Sequence, residues 1–388
     1  MDLELSEEQR LIVDTVRKFV REEIVPLEAD LDPDASDLEP ADYARLAAQT
    51  KEMGFYGLDI PAEYGGPGID TTTRTLMAIE MSQHRAGLYA PCYGVFGGAG
   101  LAQLYEANDD QKQRYLYPTL RGEKQGFFGL TEPSGGSDPA RAIQTSAVKD
   151  GDDWVLNGSK IFISGADTAD FGIVFARSDA ARGREGITCF IVDADMPGFH
   201  VRRVVHTLRS THYATELQFD NLRVPAANVL GEVNRGFAIA NDRLTRQRIP
   251  YAAGCIGVAV KAQEMAIAYS KQRETFGDLL ANRQAIQWMI VDNEIDIRTS
   301  RWLTLHAADL ADRNRPFRTE AAMAKLVASE AGGRVVDRSM QIHGGYGMTK
   351  DLPLERWYRE IRIRRIGEGP SEVQRHIMAR DLLGSSFH

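Results

Sequence analysis

The spacing of apolar residues changes twice along the chain, and this limits the folds that the chain can adopt. From residue 1 to about residue 122 apolar residues recur at helical intervals, as at Ile12, Val16 and Phe19. From Gly126 to about Leu230 the pattern alternates with period two, and from about Gly236 it is helical again. The sequence therefore predicts an α+β multidomain protein. Its predicted parts are an N-terminal α-helical domain (1–122), a middle antiparallel β-barrel or sandwich domain (123–232) and a C-terminal four-helix bundle (233–388).

Local signals mark the ends of the predicted helices. Ser6 and Gln9 form a capping-box pair ahead of the first helix, and Pro26 ends that helix. A second helix begins near Ala41, and Gly54 is placed to end it. The bundle is predicted from four long helices, at roughly 236–274, 281–313, 318–342 and 371–383.

Two dipeptides of the middle region, Asp150-Gly151 and Asn157-Gly158, are typical of two-residue hairpin turns. Several short strands in about 100 residues favour a barrel or a sandwich. The predicted strands are Trp154–Leu156, Lys160–Ser164, Phe171–Ala176, Ile187–Val192, His200–Val205 and Glu216–Phe219.

Charge and composition argue against two broad classes of protein. The 388 residues carry 46 Lys and Arg against 55 Asp and Glu, a net charge of −9, which is unlike a protein that binds nucleic acid through phosphate contacts. No run approaches the roughly 18 apolar residues of a membrane-spanning helix. The three cysteines lie far apart and the first residues are acidic, so we expect a cytoplasmic protein without disulfides.

Several well-known catalytic and binding motifs do not occur in the sequence. It contains no GxGxxG, GxxxxGK[ST] or GxSxG, so a nicotinamide site, a P-loop and a nucleophile elbow are not supported. His200, His206 and His212 recur every six residues, but no neighbouring ligand pattern accompanies them. We interpret them as ordinary polar residues and predict no metal site.

Three segments combine glycine, small polar residues and charge. Residues 127–138 enter a turn rich in N–H and hydroxyl donors, which suits a flavin edge or an anion but also a plain β-turn. Arg273, at the end of a helix, suits either the helix dipole or a pyrophosphate. The third segment comprises residues 341–347 and 365–374.

Glu368 stands out in the third segment. Gly367, Gly369 and Pro370 cannot continue a helix, so Glu368 is predicted on a short loop, and its glycine neighbours allow close approach of another molecule. A lone loop glutamate is more often simply solvated. Ser371 and Gln374 read as a capping box that starts the last helix.

The motifs in these segments and in the middle region make the sequence resemble the acyl-CoA dehydrogenase family over essentially its whole length. Any one of the shared motifs is weak evidence for the family, but six motifs in the family's order and spacing are specific evidence for it. They are Leu130-Thr-Glu-Pro133 with Gly136-Ser-Asp138, Asn157-Gly-Ser-Lys160, Arg223-Val-Pro225, Arg273-x-x-Phe-Gly277, Gln341-Ile-His-Gly-Gly345 and Glu368-Gly369.

The resemblance implies an FAD enzyme that oxidises an acyl-CoA thioester to the trans-2-enoyl-CoA and passes electrons to an electron-transferring flavoprotein. A carboxylate removes the α-proton while a hydride leaves the β-carbon for the flavin. In most members this base is the Glu of the Glu-Gly pair, here Glu368; in a minority it lies at the position of Gln247, which cannot accept a proton. Arg248 matches an arginine near the base. Because a thioester α-proton is a weak acid, the site must polarise the carbonyl and position the base.

The resemblance also implies the cofactor and substrate contacts. Substrate contacts are expected from Ser137, Arg248 and Gly369. Residues 273–284 and 341–345 match positions that contact FAD across a subunit boundary, so the expected assembly is a homo-oligomer, a dimer of dimers. The positions that match FAD contacts are Phe128, Leu130, Thr131, Ser137, Phe162, Ser164, Arg273, Thr275, Phe276, Gln284, Gln341, Gly344, Gly345, Pro370 and Glu372.

The acyl group is the least determined part of the prediction. Gly94, Gly97, Gly98 and Gly100 match a segment at the far end of the acyl pocket, and as helix glycines they suit either a bulky acyl group or close helix packing. The sequence of the loop 209–215 differs from the sequence that is commoner in the family, which points to an unusual acyl group. An oxidase or monooxygenase on the same fold, and a non-catalytic family member, are the alternative functions.

Overall fold

The structure is a computed structural model that describes residues 5–98, 100–209 and 214–384. The chain forms two compact units, one from residues 1–97 and 245–388 and the other from residues 98–244. The N-terminal helices and the C-terminal bundle thus belong to one unit, and the β-sheet belongs to the other. The three-domain boundaries given above stay a prediction.

Long helices dominate the first unit, and short helical turns connect them and the strands. The long helices are α1 (Glu7–Phe19), α2 (Pro40–Glu52), α3 (Thr71–Met81), α4 (Gly236–Ser270), α5 (Gln284–Asp312), α6 (Arg318–His343), α7 (Leu354–Arg364) and α8 (Ser371–Leu383). The shorter helical turns are Val20–Ile24, Val25–Ala29, Ala62–Tyr64, Pro91–Gly94, Ala102–Glu106, Asp109–Gln111, Lys112–Leu116, Tyr117–Leu120, Pro139–Ala142, Ala180–Gly186, Ala226–Asn228, Leu280–Asn282 and Gly344–Met348.

The start of α1 follows the predicted capping box. The Ser6 hydroxyl accepts from the Gln9 backbone N–H at 3.1 Å, and the Gln9 side chain accepts from the Ser6 N–H at 3.1 Å. Val16 and Phe19 are buried on the inner face, as their spacing predicts. α2 also ends where predicted, since Gly54 follows it with a φ of +74°.

Helix α7 was missed by the sequence prediction of four long C-terminal helices. Its residues alternate between charged and apolar types so densely that the apolar stripe is hard to see, yet Leu354, Trp357 and Ile361 are buried at helical spacing. Arg356 and Glu360, one turn apart, are both 1% exposed and pair at 3.1 Å. The helix therefore buries an ion pair along with its apolar stripe, which a count of apolar residues does not detect.

Seven strands of the described residues form one sheet in the second unit, in the order β1-β4-β2-β3-β7-β6 with β5 paired to β4. Four of the pairings are antiparallel, whereas β1 and β2 pair with β4 in parallel. The strands are β1 (Gly126–Gly129), β2 (Ser146–Asp150), β3 (Asp153–Ser164), β4 (Phe171–Arg177), β5 (Ile187–Asp193), β6 (Phe199–Val205) and β7 (Ala214–Pro225).

Of the two predicted hairpin turns, one is confirmed and one is wrong. Asp150 pairs with Asp153 across a turn that contains Gly151, as predicted. Asn157-Gly158 instead lies inside β3, where the pairing with β7 shifts register between Leu156 and Gly158. A Cβ on Gly158 would lie 2.6 Å from the Thr145 Cα, so this glycine is needed for close approach of the backbone at a bulge.

Each unit has its own apolar core. In the sheet the core consists of side chains such as Trp154, Phe190 and Phe219. In the first unit, α4 and α6 contribute small residues to a core that also contains Trp357. Within the described residues no helix is both long and apolar enough to cross a bilayer.

Candidate functional site

Glu368 lies on the short connection between α7 and α8, as predicted. Its backbone is left-handed, with φ of +54°, and Gly369 follows with φ of +87°. A left-handed conformation costs a non-glycine residue roughly 1–2 kcal/mol. The surrounding structure must therefore hold Glu368 in this conformation, and such strain is common at functional sites.

Two side chains fix this connection by binding its carbonyl groups. The Gln374 amide donates to the carbonyl oxygens of Glu368 at 3.2 Å and Gly369 at 2.8 Å. The Lys325 ammonium, on α6, donates to the Gly369 carbonyl oxygen at 2.8 Å. Both side chains are fully buried.

The predicted capping box at Ser371 and Gln374 is therefore wrong. Ser371 is the first residue of α8, and Pro370 occupies the cap without a side-chain hydrogen bond. The Ser371 hydroxyl donates to the Glu330 carboxylate at 2.6 Å instead. Neither side chain caps the helix, because Ser371 binds the distant Glu330 and Gln374 binds the carbonyl groups of Glu368 and Gly369.

Buried cations surround the Glu368 connection. Arg248, on α4, is 4% exposed, and its Nε and Nη1 have no hydrogen-bond partner among the residues that the structure describes. Burial and the charge of the neighbouring Arg318 together lower the pKa of Arg248 to about 10, although the charge of Glu368 partly offsets both effects. Buried donors without partners are costly in a finished protein interior, so their presence indicates a ligand site.

Tyr251, one turn after Arg248 on α4, explains why residue 367 is glycine. A Cβ at Gly367 would lie 2.5 Å from the Tyr251 hydroxyl oxygen. The glycine therefore lets the tyrosine hydroxyl reach the backbone directly before Glu368. Burial raises the pKa of Tyr251 well above the ordinary value, and the charge of Glu368 acts in the same direction. The side chain therefore stays a neutral phenol.

In the second unit, the predicted flavin-binding turn is folded around a buried ion pair. The Lys160 ammonium contacts the Glu132 carboxylate at 2.7 Å, and the two side chains are 0% and 4% exposed. Lys160 also donates to the Phe175 carbonyl oxygen at 2.6 Å, while Glu132 accepts from the backbone N–H groups of Gln144 and Thr145. The Glu132 carboxylate thus connects the turn to β3 and to the segment before β2, and the Lys160 ammonium connects β3 to β4.

The pKa shifts are those expected of an ionised pair in a protein interior. Burial lowers the pKa of Lys160 to about 8, although Glu132 opposes this shift. For Glu132 burial acts in the raising direction, but the Lys160 charge and the hydrogen bonds leave its pKa below the ordinary value. We conclude that both groups are charged at neutral pH.

The predicted flavin contacts of this unit lie on β1, on the turn and on β3. Leu130 is buried, and the Phe128 ring packs edge-on against Phe175 with ring centres 5.1 Å apart. Ser137 and Ser164 are exposed. Phe162 is 59% exposed at a second bulge of β3, with a φ of +58°.

These features fit a flat aromatic cofactor with polar edges. An exposed aromatic ring held in a strained backbone conformation, beside exposed hydroxyl donors, offers both stacking and hydrogen bonds. Thr131, whose side chain is partly exposed, is held by its carbonyl, which accepts from the Ile161 N–H at 2.9 Å. The donor set therefore fits FAD.

In the first unit, the predicted cofactor residues lie mostly on the surface. Phe276 is at the tip of the hairpin formed by β8 (Glu274–Thr275) and β9 (Asp278–Leu279), fully exposed and with a φ of +52°. Exposed side chains of this kind are available for contacts with another subunit. Arg273, Gln284, Gln341, Gly344, Gly345 and Glu372 are exposed, while Thr275, Gly369 and Pro370 are partly buried.

The predicted helical placement of the glycine segment is wrong. Gly94, Gly97 and Gly100 have φ values of +76°, +64° and +63°, so they lie in turns that favour glycine. A Cβ on Gly97 would meet the Tyr56 ring at 2.7 Å, and one on Gly100 would meet Thr119 at 2.5 Å. Only Gly94, of these three, faces open space within 4 Å. Close packing thus explains two of them without an enlarged pocket.

The start of this segment is held by a buried polar cluster. Cys92 and Tyr93 are also left-handed, with φ of +46° and +52°. The Glu28 carboxylate accepts from the Tyr93 hydroxyl at 3.0 Å and contacts the His84 ring at 3.0 Å, and the other nitrogen of that ring accepts from the Cys92 N–H. The cluster stabilises a backbone conformation that the sequence does not reveal.

The remaining predictions concern histidines and one loop. Among the described residues no group of three His, Cys, Asp or Glu side chains could hold a metal ion. His212 and most of the loop 209–215 lie outside the described residues. The roles that the sequence did not predict are those of Lys325, Gln374 and the Glu132–Lys160 pair. A lysine inside a run of alanines, as at Lys325, was the available signal.

Three known domain families match this chain in the order N-terminal, middle and C-terminal. Family models of the acyl-CoA dehydrogenase N-terminal, middle and C-terminal domains match residues 6–123, 127–222 and 234–383. A 3-(aryl)acrylate reductase of Clostridium sporogenes is 38% identical over 381 residues, covering 97% of this chain and 99% of that protein. The short-chain specific acyl-CoA dehydrogenase of Clostridium acetobutylicum is 36% identical over 381 residues, covering 98% and 99%.

A solved structure extends this comparison to three dimensions. A chain in the structure of the electron-transferring flavoprotein of Acidaminococcus fermentans is 37% identical, with a TM-score of 0.86. The alignment covers 99% of this chain and 100% of that chain. The similarity therefore includes every element that carries the candidate site.

Proposed function

This chain belongs to the acyl-CoA dehydrogenase family, and on that basis we propose that it converts an acyl-CoA thioester to the trans-2-enoyl-CoA with Glu368 as the base. The protein is an oxidoreductase and binds FAD, as its family does. One observation carries the assignment of the base. Glu368 is held in a left-handed conformation among buried cations, Arg248 and Lys325, by contacts that serve no other evident purpose.

The proposed proton transfer follows from these contacts. The Glu368 carboxylate takes the α-proton of the thioester, and the fixed connection keeps the carboxylate against the α-carbon. Bound FAD supplies the acceptor for the hydride that leaves the β-carbon. Positioned general-base catalysis of this kind contributes roughly 10²–10⁴-fold.

Arg248 contributes charge and hydrogen-bond donors. As the α-proton leaves, negative charge develops on the thioester oxygen, and buried donors and cations stabilise it more strongly than water does. The Nε and Nη1 of Arg248 lack partners within the described part of the chain. They are therefore free to bind the substrate without breaking an existing contact.

We further propose that the protein acts as a dimer of dimers. On α5 the side chains of Trp288, Val291, Ile295 and Trp302 are 43% to 61% exposed. Their spacing places them along one side of the helix, where a second subunit would cover them. Phe276, at the hairpin tip, supports the same assembly because its ring is fully exposed.

An electron-transferring flavoprotein is the proposed electron acceptor. The similarity to a chain from the structure of such a flavoprotein of Acidaminococcus fermentans supports this proposal. A spectroscopic assay tests it directly: substrate-reduced protein, mixed anaerobically with an electron-transferring flavoprotein, regains its oxidised flavin spectrum. Reoxidation by oxygen alone at a comparable rate would favour an oxidase instead.

The experiment for the reaction itself is an anaerobic titration. The purified protein is mixed with a panel of straight, branched, aryl and carboxylated acyl-CoA thioesters, and bleaching of the flavin absorbance is followed. We expect bleaching by one subset and formation of the matching enoyl-CoA. A flavin-containing protein that no acyl-CoA bleaches would contradict the proposed reaction.

A further inference from the structure

Arg364 is a buried cation beside the base for which the reaction described above has no use. It ends α7, four residues before Glu368, and is 7% exposed. Its Nε is buried without a hydrogen-bond partner among the described residues, and the ion pairs of that part of the chain do not include it. A buried guanidinium ordinarily has a carboxylate partner.

Two tyrosine rings hold this guanidinium in place. It lies 4.3 Å from the centre of the Tyr89 ring and 4.0 Å from that of Tyr251. Stacking on aromatic faces favours the cation but leaves the in-plane N–H donors of the guanidinium available. The rings therefore orient Arg364 without satisfying its hydrogen bonds.

The carboxylate one turn earlier on the same helix is already engaged. Glu360 pairs with Arg356 at 3.1 Å, with both side chains 1% exposed. Arg356 in turn donates to the carbonyl oxygens of Pro33 and Ala35, so this pair is fixed to another segment. Glu360 thus has its own hydrogen-bond partner. Its charge also acts on Arg364, but the Arg364 Nε still has no hydrogen-bond partner among the described residues.

Buried cations are concentrated near the base. Arg248, Lys325 and Arg364 are all buried, and the electrostatic influence of both arginines reaches the Lys325 ammonium. The charge of Glu368 acts on Arg248 and Lys325, and that of Glu360 acts on Arg364. Tyr251 connects the groups, because its ring stacks on Arg364 while its hydroxyl meets the backbone at Gly367. A bound carboxylate would supply the hydrogen-bond acceptor that the Arg364 Nε lacks among the described residues.

We propose that Arg364 binds a carboxylate at the far end of the acyl chain, so that the preferred substrates are CoA monothioesters of dicarboxylic acids. The planar guanidinium of an arginine can donate two parallel hydrogen bonds to a carboxylate. The proposal rests on the proposed function, because it places the acyl group between the base and Arg364. Arg364 is the last residue of α7 and Glu368 lies on the connection that follows it, so both lie at the same end of this helix, which favours short dicarboxylic chains.

The test compares charged and neutral substrates of equal length. Succinyl-, glutaryl- and adipyl-CoA are compared with their methyl esters and with butyryl-, valeryl- and hexanoyl-CoA, by anaerobic flavin reduction. We expect a carboxylated substrate to have a kcat/KM about 100-fold above that of its methyl ester, a ratio typical of a desolvated charge pair. Replacement by Arg364→Gln should lower this ratio about 100-fold, mainly through KM, with neutral substrates changed less than about threefold.

Two further variants separate recognition from folding. Arg362→Gln makes the same change at an exposed position of the same helix and should leave the ratio unchanged. Arg364→Lys keeps the charge without the fork and should retain part of the preference. If Arg364→Gln loses its flavin or fails to fold, the wild-type comparison and Arg364→Lys still decide the matter.

A binding measurement provides a readout apart from turnover. In the Glu368→Gln background, glutaryl-CoA should perturb the flavin spectrum at a lower concentration than its methyl ester, and Arg364→Gln should remove the difference. Free glutarate, added as a control, should not compete at equal concentration if the thioester is needed. Turnover of neutral acyl-CoAs with no preference for the carboxylate would overturn this inference and leave the proposed function standing. Failure of every thioester to reduce the flavin would overturn both.

Discussion

The Lys325 ammonium donates a 2.8 Å hydrogen bond to the carbonyl oxygen of Gly369, the residue that follows the proposed base. The lysine is fully buried in α6, 44 residues earlier in the chain. It therefore connects the bundle to the strained connection that carries Glu368. A lysine in this position can act on the base both by holding its backbone and by its charge.

Replacement of Lys325 by Met should slow the chemical step. A hydrogen bond from a charged donor contributes roughly 1.5–3 kcal/mol, so we expect kcat to fall about 10- to 100-fold while FAD remains bound. Lys18→Met, at an exposed position of α1, is the matched control and should have no effect. Rapid-reaction measurement of flavin reduction tests this. An unchanged rate constant would show that the lysine is merely structural.

The same lysine predicts a pH dependence. Burial lowers the pKa of Lys325 to about 8 from the ordinary 10.5. We expect kcat to decline above about pH 8 as the ammonium loses its proton, and Lys325→Met to lack this decline. The effect of this group on stability has the opposite sign. Between about pH 8 and 10.5 the unfolded chain binds more protons at this lysine than the folded chain does, so the lysine makes the free energy of unfolding rise with pH. Identical alkaline limbs in both proteins would contradict the assignment.

Replacement of Glu368 by Gln should remove the base and little else. Gln is close in shape and cannot accept the α-proton at neutral pH, so turnover should fall by at least roughly 10²–10⁴-fold. The backbone hydrogen bonds from Gln374 and Lys325 do not involve the Glu368 side chain, so FAD content and melting temperature should change little. Near-normal turnover would show that Glu368 is not the base.

The Glu132–Lys160 pair should control flavin retention through the fold of the turn. Removing one partner of a buried pair costs roughly 3–5 kcal/mol, so Lys160→Met should lower the free energy of unfolding by about that amount and reduce the FAD content. The double variant Glu132→Leu with Lys160→Met should be less destabilised than the sum of its single variants. Urea denaturation and flavin absorbance measure both effects, and the exposed Lys149→Met is the control. Additive losses would mean that the pair is not coupled.

Phe276 should link assembly to cofactor binding. Its ring is fully exposed, so Phe276→Ser removes no packing against the part of the chain that the structure describes. We expect normal secondary structure with weaker FAD binding and a shift toward smaller species in sedimentation velocity. Leu382→Ser, at an exposed position of α8, serves as the control. Full FAD occupancy in an unchanged assembly would argue against a contact across subunits.

The sequence predicted local features well where local chemistry decides them. The helix start at Ser6, the turn at Gly151 and the loop position of Glu368 each depend on residues a few positions apart. The resemblance to one family also rests on short motifs read in order. It was confirmed by matches to all three family domains.

Prediction was wrong where a distant partner changes the meaning of a local signal. The Asn157-Gly158 dipeptide reads as a turn, but Gly158 is a bulge residue because the backbone at Thr145 approaches it. Ser371 reads as a helix cap, but Glu330, 41 residues away, engages its hydroxyl. Helix α7 was missed because its buried Arg356–Glu360 pair makes a core helix look like a surface one.

The sequence by itself determined the succession of helical, β and helical regions, the turn at Gly151 and the loop position of the candidate base. The tertiary structure alone decided which cations surround that base and what holds its backbone. The reason is that hydrogen bonds and desolvation act at short range in space. The partners of Lys325 and of Glu132 lie 44 and 28 residues away along the chain, and only folding brings them within 3 Å.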